Sequence, residues 1–165
     1  MRSFRQFITE GAITPPLQGR CEKIFVAGPH GPNGLVQYEQ EYNGQTGSTR
    51  HITMNQDAWV PISTLLTLKG VMGEVREFDA DGRFGNYSKE QWAAFLADIS
   101  TNGITEPVFI TVDYGKRPEV SEGNHRIQAL RQLGYKYAPC QIRYFGNAQL
   151  ESGLDYNGKF GRGSV

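Results

Sequence analysis

The stretch Ser121-Glu-Gly-Asn-His-Arg126 lies between a short strand-like run and a helical pattern. Gly123 lets the backbone approach a ligand closely, and the helix that follows would offer free amides and the positive end of its dipole. Arg126 adds a fork of donors, and His125 can donate to the same anion or transfer a proton. This combination is typical of a phosphate site. The spacing alone also allows a simple turn at Gly123 with Asn124 as a helix cap.

The segments on either side of this stretch have clear periodicity. The run from Pro107 to Val112 is rich in β-branched residues, with proline at its first position where the missing amide does least harm. Residues 119–121 predict a second short strand. After the turn, apolar residues at helical spacing predict a helix that ends at Gly134, and residues 140–145 predict a final strand.

A second helix is predicted upstream. Ser88-Lys-Glu-Gln91 is a capping-box pattern, in which serine and glutamine each satisfy one orphan amide at a helix start. Apolar residues then recur at helical spacing, and Gly103 occupies the C-terminal position. Residues 59–62 predict a strand and residues 63–68 a short helix. The predicted order is β-α-α-β-β-α-β, a compact α+β domain over residues 59–145.

Two less regular segments flank this domain. Residues 1–58 are predicted to form an extension: a short helix in the first ten residues, Gly/Pro loops, and a β-hairpin of residues 35–42 and 49–54. A strand-like run, Lys23-Ile-Phe-Val-Ala27, interrupts the loops. Residues 146–165 are rich in glycine and predict a flexible or partner-dependent tail.

Composition excludes several classes of protein. The chain has 165 residues, 38% of them hydrophobic, and a mean hydropathy of −0.49, which argues against disorder and against a membrane protein. It contains no apolar run of spanning length and no secretory signal pattern at its start, so a cytoplasmic location is expected. Two cysteines without CxxC spacing do not support a zinc or redox motif.

Charge is unevenly distributed in this neutral chain. Residues 51–122 carry six basic and eleven acidic residues, whereas residues 123–145 carry four basic residues and no acidic one. A short basic segment favours a small anionic ligand over an extended duplex, which calls for a broadly basic face. A solvated basic surface is the alternative.

Two short boxes together resemble the ParB/sulfiredoxin superfamily. In that family a G-x-x-x-P-[IV] box ends a helix and opens a strand, and a G-x-[HR]-R box opens the next helix. Here the boxes are Gly103…Pro107-Val108 and Gly123-Asn-His-Arg126. Upstream, Val75-Arg-Glu-Phe-Asp79 is similar to the family's arginine-bearing element. The resemblance covers about residues 59–145, and it lies in the set of boxes more than in any one of them.

The resemblance implies a domain that binds a nucleoside di- or triphosphate. It places Gly123, Asn124, His125 and Arg126 against the phosphates, with Arg76 facing the nucleotide. Members of the family include CTP-switched DNA clamps, sulfinic acid reductases, serine kinases and ParB-like nucleases. Mg²⁺ with ATP or CTP is the implied cofactor.

Position 124 departs from the family pattern. Sulfiredoxins have their reactive cysteine there, so Asn124 excludes that reaction, which needs a nucleophile. Asn124 can give a carbonyl oxygen to Mg²⁺ but cannot act as a base, so a carboxylate must take that role and share the metal. The candidates are Glu122 and Glu106, with His125 as a proton-transfer group. Further carboxylates cluster before the capping box, at Glu74, Glu77, Asp79 and Asp81.

Two classes of function follow. The first is an enzyme that catalyses phosphoryl transfer, NTP hydrolysis or nucleic-acid cleavage. The second is a non-catalytic module that uses the extension and tail to bind a protein or DNA, or a virion component. The opening Met-Arg-Ser-Phe-Arg-Gln-Phe resembles the start of many phage proteins, which suggests host cytoplasm or virion as the location. About 20 residues follow the domain, too few for a helix-turn-helix of the kind that reads DNA.

Overall fold

The computed structural model describes residues 13–26, 38–41, 52–68, 70, 79–113, 116–145, 153–154 and 158–161. The predicted helix of the first ten residues, the loop around residue 43 and residues 71–78 lie outside these ranges. Within them, a mixed five-stranded sheet and the helices packed against it form an α+β domain. No helix in the described ranges is both long enough and apolar enough to span a bilayer.

The elements follow the predicted order in residues 59–145. The strands are β1 (Tyr38–Glu41), β2 (Ile52–Pro61), β3 (Val108–Asp113), β4 (Glu119–Glu122) and β5 (Tyr137–Phe145), and the helices are α1 (Gly19–Cys21), α2 (Ile62–Leu65), α3 (Lys89–Asn102) and α4 (Asn124–Gln132). The strand order in the sheet is β1-β2-β5-β3-β4. All neighbouring pairs are antiparallel except β3 and β5.

The strand predicted for Lys23-Ile-Phe-Val-Ala27 is wrong for the residues that the structure describes. Its described part belongs to a π-helical turn, Glu22–Val26, that continues directly from α1. A five-residue apolar run carries no length signal that separates a strand from a helical turn. Here Phe25 is 1% exposed and packs edge-on against Trp59, with ring centroids 5.5 Å apart.

The expected boundary between residues 58 and 59 falls inside β2. This strand pairs with β5 from Ile52 to Pro61, so it belongs to the domain along its whole length. The pairing of β1 with β2 agrees with the predicted hairpin, whose second strand is longer than expected. Upstream residues also join the domain: the Pro16 carbonyl accepts from Ile104 N at 2.9 Å.

Residues 146–165 are expected to form a flexible or partner-dependent tail, and the residues of this segment that the structure describes contact the domain. Leu154 is 5% exposed and belongs to the main apolar cluster. Thr64 donates from Oγ1 to the Gly158 carbonyl at 2.6 Å, and Gly161 N donates to the Gly153 carbonyl at 3.0 Å. The Leu154 side chain attaches the described tail to the core and the Thr64 bond attaches it to α2, whereas the Gly161 bond lies within the tail itself.

The core lies between one face of the sheet and the helices. Val108, Ile110 and Val112 of β3 are fully buried, because alternate residues of a strand share one face. From α4, Ile127 and Leu130 are also fully buried, and this helix contacts β3, β5, α2 and α3. This packing fixes the start of α4 beside the start of β3, which brings the two sequence boxes together.

Candidate phosphate-binding site

The turn before α4 requires glycine. Gly123 is the residue before the helix and has φ 109° and ψ 16°, in the left-handed region. A Cβ there would lie 3.1 Å from Cγ2 and 3.2 Å from Cα of Val108. Both the dihedral angle and the contact exclude an ordinary side chain, so the backbone of this turn lies directly on β3.

The N-terminus of α4 has no side-chain cap. The first amide bonded back along the chain is that of Ile127, which donates to the Gly123 carbonyl at 3.0 Å. The three amides before it have no partner within the helix, and Gly123 has no side chain to offer one. The first turn contains no acidic residue. The positive end of the helix dipole is therefore not compensated by α4 itself.

Arg126 folds back beneath this turn. Its guanidinium Nη1 donates to the carbonyl oxygens of Glu106 and Pro107, the second at 2.8 Å. Its Nη2 lies 4.0 Å from the Glu122 carboxylate, and the side chain is 17% exposed. Arg126 thus joins the two boxes and places a largely buried positive charge under the turn. Its Nη1 is already committed to the backbone.

His125 packs into an aromatic cluster. Its ring meets Tyr87 edge-on at 5.0 Å between centroids and lies 6.3 Å from Trp92. Trp92 is 1% exposed and lies in the core, and its Nε1 donates to Gln132 Oε1 at 2.9 Å. The cluster sets the ring orientation of His125 at the edge of the turn, where part of the side chain stays exposed.

The two candidate carboxylates have different surroundings. The Glu122 side chain is 72% exposed beside the turn. The Glu106 side chain is 54% exposed and forms an ion pair with Arg20 at 3.2 Å. Arg20 and this ion pair could not be anticipated from sequence, because the two residues are far apart in the chain. Asp79 and Asp81 are exposed, whereas Glu74, Glu77 and Arg76 lie outside the described residues.

The most unusual feature of the site is a set of buried polar atoms without partners. Oδ1 of Asn124 is buried and accepts no hydrogen bond, and neither Oε1 nor Nε2 of Gln128 has one. Gln128 is 0% exposed. Gln128 is not among the residues predicted for the site. It lies four residues after Asn124, which puts both amides on one side of α4, but this spacing alone does not mark a buried amide without a partner.

The residues fit a magnesium ion only in part. Asn124 Oδ1 is a buried acceptor without a donor, which suits a cation ligand, and Glu122 would add an exposed carboxylate. The described residues contain no cluster of three or more His, Cys, Asp or Glu that could hold a metal. Mg²⁺ takes most of its ligands from water and substrate phosphates in sites of this kind. Asn124 and Glu122 would hold such an ion only together with a bound phosphate.

Neither cysteine is suited to nucleophilic chemistry. Burial raises the pKa of the Cys21 thiol to about 12. Burial also raises the pKa of Cys140, whose side chain is 0% exposed, well above its ordinary value. Both thiols therefore stay protonated at neutral pH, as expected for small buried residues.

A second polar cluster lies on the opposite face of the sheet. Arg20 and Arg143 both donate to Gln141 Oε1, at 3.0 and 3.4 Å, and Gln141 donates to Asp57 Oδ1 at 3.2 Å. The Arg143 guanidinium lies 4.1 Å from the centre of the Phe109 ring. With Glu106, the ion-pair partner of Arg20, the cluster contains two arginines and two carboxylates, so its charges balance and it is best understood as part of the packing between α1 and the sheet.

Comparison with known proteins gives no assignment. No family model matches this sequence, and no curated protein matches it.

Proposed function

We propose that residues 59–145 form a ParB/sulfiredoxin-like domain that binds a nucleoside di- or triphosphate, with its phosphates on the turn of residues 123–126. The observation that carries this proposal is the uncapped N-terminus of α4, which lies directly above the largely buried guanidinium of Arg126. Amides with no acceptor and a nearby positive charge both favour an anion at this point.

The geometry supports binding more directly than catalysis. Phosphoryl transfer needs charge neutralisation and one positioned base. Glu122 is 72% exposed beside the turn and makes only a long contact of 4.0 Å with Arg126, whereas Glu106 is held at 3.2 Å by Arg20, so the proposed base is Glu122. His125 would donate to a phosphate oxygen, and Mg²⁺ would arrive with the nucleotide. Binding without turnover would instead favour the alternative of a non-catalytic module.

A thermal-shift panel of ATP, ADP, CTP and GTP with Mg²⁺ tests the proposal. A ligand at 100 times its dissociation constant stabilises a fold by about 2.7 kcal/mol, which is easily measured. We expect one nucleotide to stabilise the wild type and to have a much smaller effect on Arg126→Lys, which keeps the charge but loses the bonds to two carbonyls.

Arg131→Ala is the matched control. Arg131 lies in the last turn of the same helix and is exposed, so its loss removes one positive charge without touching the turn. This variant should keep the wild-type response. The proposal fails if no nucleotide shifts the wild type at millimolar concentration, or if Arg131→Ala loses the response as completely as Arg126→Lys.

A further inference from the structure

Glu106 forms hydrogen bonds through both its backbone and its side chain. Its carbonyl oxygen accepts from Arg126 Nη1, and its side-chain Oε2 accepts from Arg20 Nη1 at 3.2 Å. The Arg20 guanidinium is also fixed to the sheet, because its Nη2 donates to Gln141 Oε1 at 3.0 Å. Glu106 thus connects the arginine under the proposed phosphate turn to a second arginine, which lies in the extension before residue 59.

Backbone hydrogen bonds join the loop of residues 103–107, which contains this glutamate, to the segment of residues 16–21, which contains the second arginine. Ile104 N donates to the Pro16 carbonyl, and Gln18 N donates to the Ile104 carbonyl, both at 2.9 Å. The backbone therefore places the arginine beside the glutamate, and the ion pair is more than a chance contact between two exposed side chains.

The ion pair has an electrostatic consequence for Arg126. The glutamate side chain is flexible, and the backbone of Glu106 already contacts the Arg126 guanidinium. A carboxylate at this position with no cation of its own could turn toward that guanidinium. Opposite charges attract more strongly where water is partly excluded, and the Arg126 side chain is 17% exposed. An unpaired Glu106 would therefore compete with an anionic ligand for Arg126.

The charges of these three groups also act on a common point in the core. Burial is the main cause of the raised pKa of the Cys21 thiol, and the next largest influence is the charge of Arg126, ahead of the charges of Glu106 and Arg20. Cys21 directly follows Arg20 and is 0% exposed. The two arginines and the glutamate therefore lie close enough together for their charges to interact.

From this geometry we infer that Arg20 is a positioning residue for the proposed nucleotide site. It holds the Glu106 carboxylate away from Arg126 and so leaves the charge of Arg126 available to a phosphate. Arg20 acts through Glu106 and does not itself contact the ligand. The inference rests on the proposed function and extends the site to a residue of the N-terminal extension.

The test measures the affinity of the full chain for Mg²⁺-ATP, Mg²⁺-CTP and inorganic triphosphate by isothermal titration. Arg20→Gln should weaken binding of the tightest of these ligands about tenfold, or about 1.4 kcal/mol, because Glu106 then turns toward Arg126. Arg20→Gln combined with Glu106→Gln should bind as tightly as the wild type, since no carboxylate is left at this position to compete. Arg20→Lys keeps a cation beside Glu106 and should retain most of the affinity.

Arg143→Gln is the matched control. Arg143 shares the Gln141 acceptor and the Phe109 ring with Arg20, so its loss removes the same charge from the same cluster. Among the described residues, the ion-pair partner of Glu106 is Arg20. Arg143→Gln should therefore keep the wild-type affinity. The Arg20 side chain is 39% exposed, so its variants should fold, and thermal midpoints without ligand check this.

The outcomes separate this inference from the proposed function. If the wild type binds none of the three ligands, both are overturned. If the wild type binds and Arg20→Gln binds equally well, the inference is wrong and the phosphate site stands. The inference is also wrong if Glu106→Gln does not restore binding in the double variant, or if Arg143→Gln weakens binding as much as Arg20→Gln. Arg20 would then contribute only packing or general positive charge.

Discussion

The two long helices begin in opposite ways. At the start of α3, Ser88 Oγ accepts from Gln91 N at 3.1 Å, and Gln91 Oε1 accepts from Ser88 N at 2.9 Å. The start of α4 has a glycine in the left-handed region and no side-chain cap. The first turn of α3 contains Glu90, whereas that of α4 contains Arg126. The first amides of a helix need acceptors from outside the helix ladder. In α3 a side chain of the chain itself supplies one, whereas in α4 no side chain does.

The comparison shows that the missing side-chain cap at the start of α4 is a property of the local sequence there and is not common to the helices of this protein. Both helices pack on the same core, and both have the same orphan amides to satisfy. Only at α4 do the neighbouring residues add positive charge and buried polar atoms without partners. The α3 terminus thus provides an internal reference for what a purely structural helix start looks like in this protein.

A side chain at Gly123, in the turn before α4, should cause the largest loss of stability. Gly123→Ala forces a side chain into a left-handed conformation and against Val108. Such backbone strain costs about 1–3 kcal/mol, and we expect the upper end of that range because the contact adds to it. Chemical denaturation measures the change.

The control for this substitution is Gly134→Ala. Gly134 also has a positive φ, 84°, but a Cβ there would meet nothing within 4 Å. It should cost distinctly less than Gly123→Ala. Equal losses would show that the dihedral angle alone matters and that the close approach of the turn to β3 does not.

Removing the side-chain cap of α3 should lower the stability of the fold by a smaller amount. Ser88→Ala removes the cap of α3, and a lost serine cap costs about 1 kcal/mol. The thermal midpoint should fall accordingly, while the nucleotide binding that we propose for the start of α4 stays unchanged, because Ser88 lies outside the proposed site. Ser100→Ala, at an exposed position in the same helix, should be nearly neutral. A loss of nucleotide binding in Ser88→Ala would contradict the distinction between the two helix starts.

The smallest expected effect concerns the charge in the first turn of α3. Glu90→Gln removes a negative charge from the positive end of the dipole, a change of about 0.3–1 kcal/mol at low ionic strength. The loss should be smaller in 1 M salt, since such interactions are screened. Unfolding free energies at low and high salt give the comparison. A loss that does not depend on salt would point to packing instead of charge.

The sequence predicted the elements of residues 59–145 well because their signals are local. The capping box at Ser88, the proline at the start of β3 and the glycine before α4 each act within a few residues. The strand predicted from Lys23 onward was wrong because a short apolar run has no periodicity that separates a strand from a helical turn. The membership of β2 in the domain along its full length depends on pairing with β5, which no local signal reveals.

The site was predictable only in outline. The spacing around Gly123 predicted a helix start with unbonded amides, and the structure has one. The attachment of Arg126 to the Glu106 and Pro107 carbonyls depends on how two distant segments pack. Gln128 is exceptional only because no partner reaches its amide, and a missing partner leaves no trace in sequence.

The pairing of β2 with β5 also bears on how the chain folds during synthesis. Residue 59 pairs with residue 139, so β2 leaves the ribosome well before its partner is made. The capping box of α3 can form as soon as its helix emerges, whereas the apolar side of β2 must wait for β5. During that interval the edge of β2 that will pair with β5 is unpaired in the nascent chain, and a slow stretch of translation before residue 137 would prolong the exposure of this edge to chaperones or to other chains.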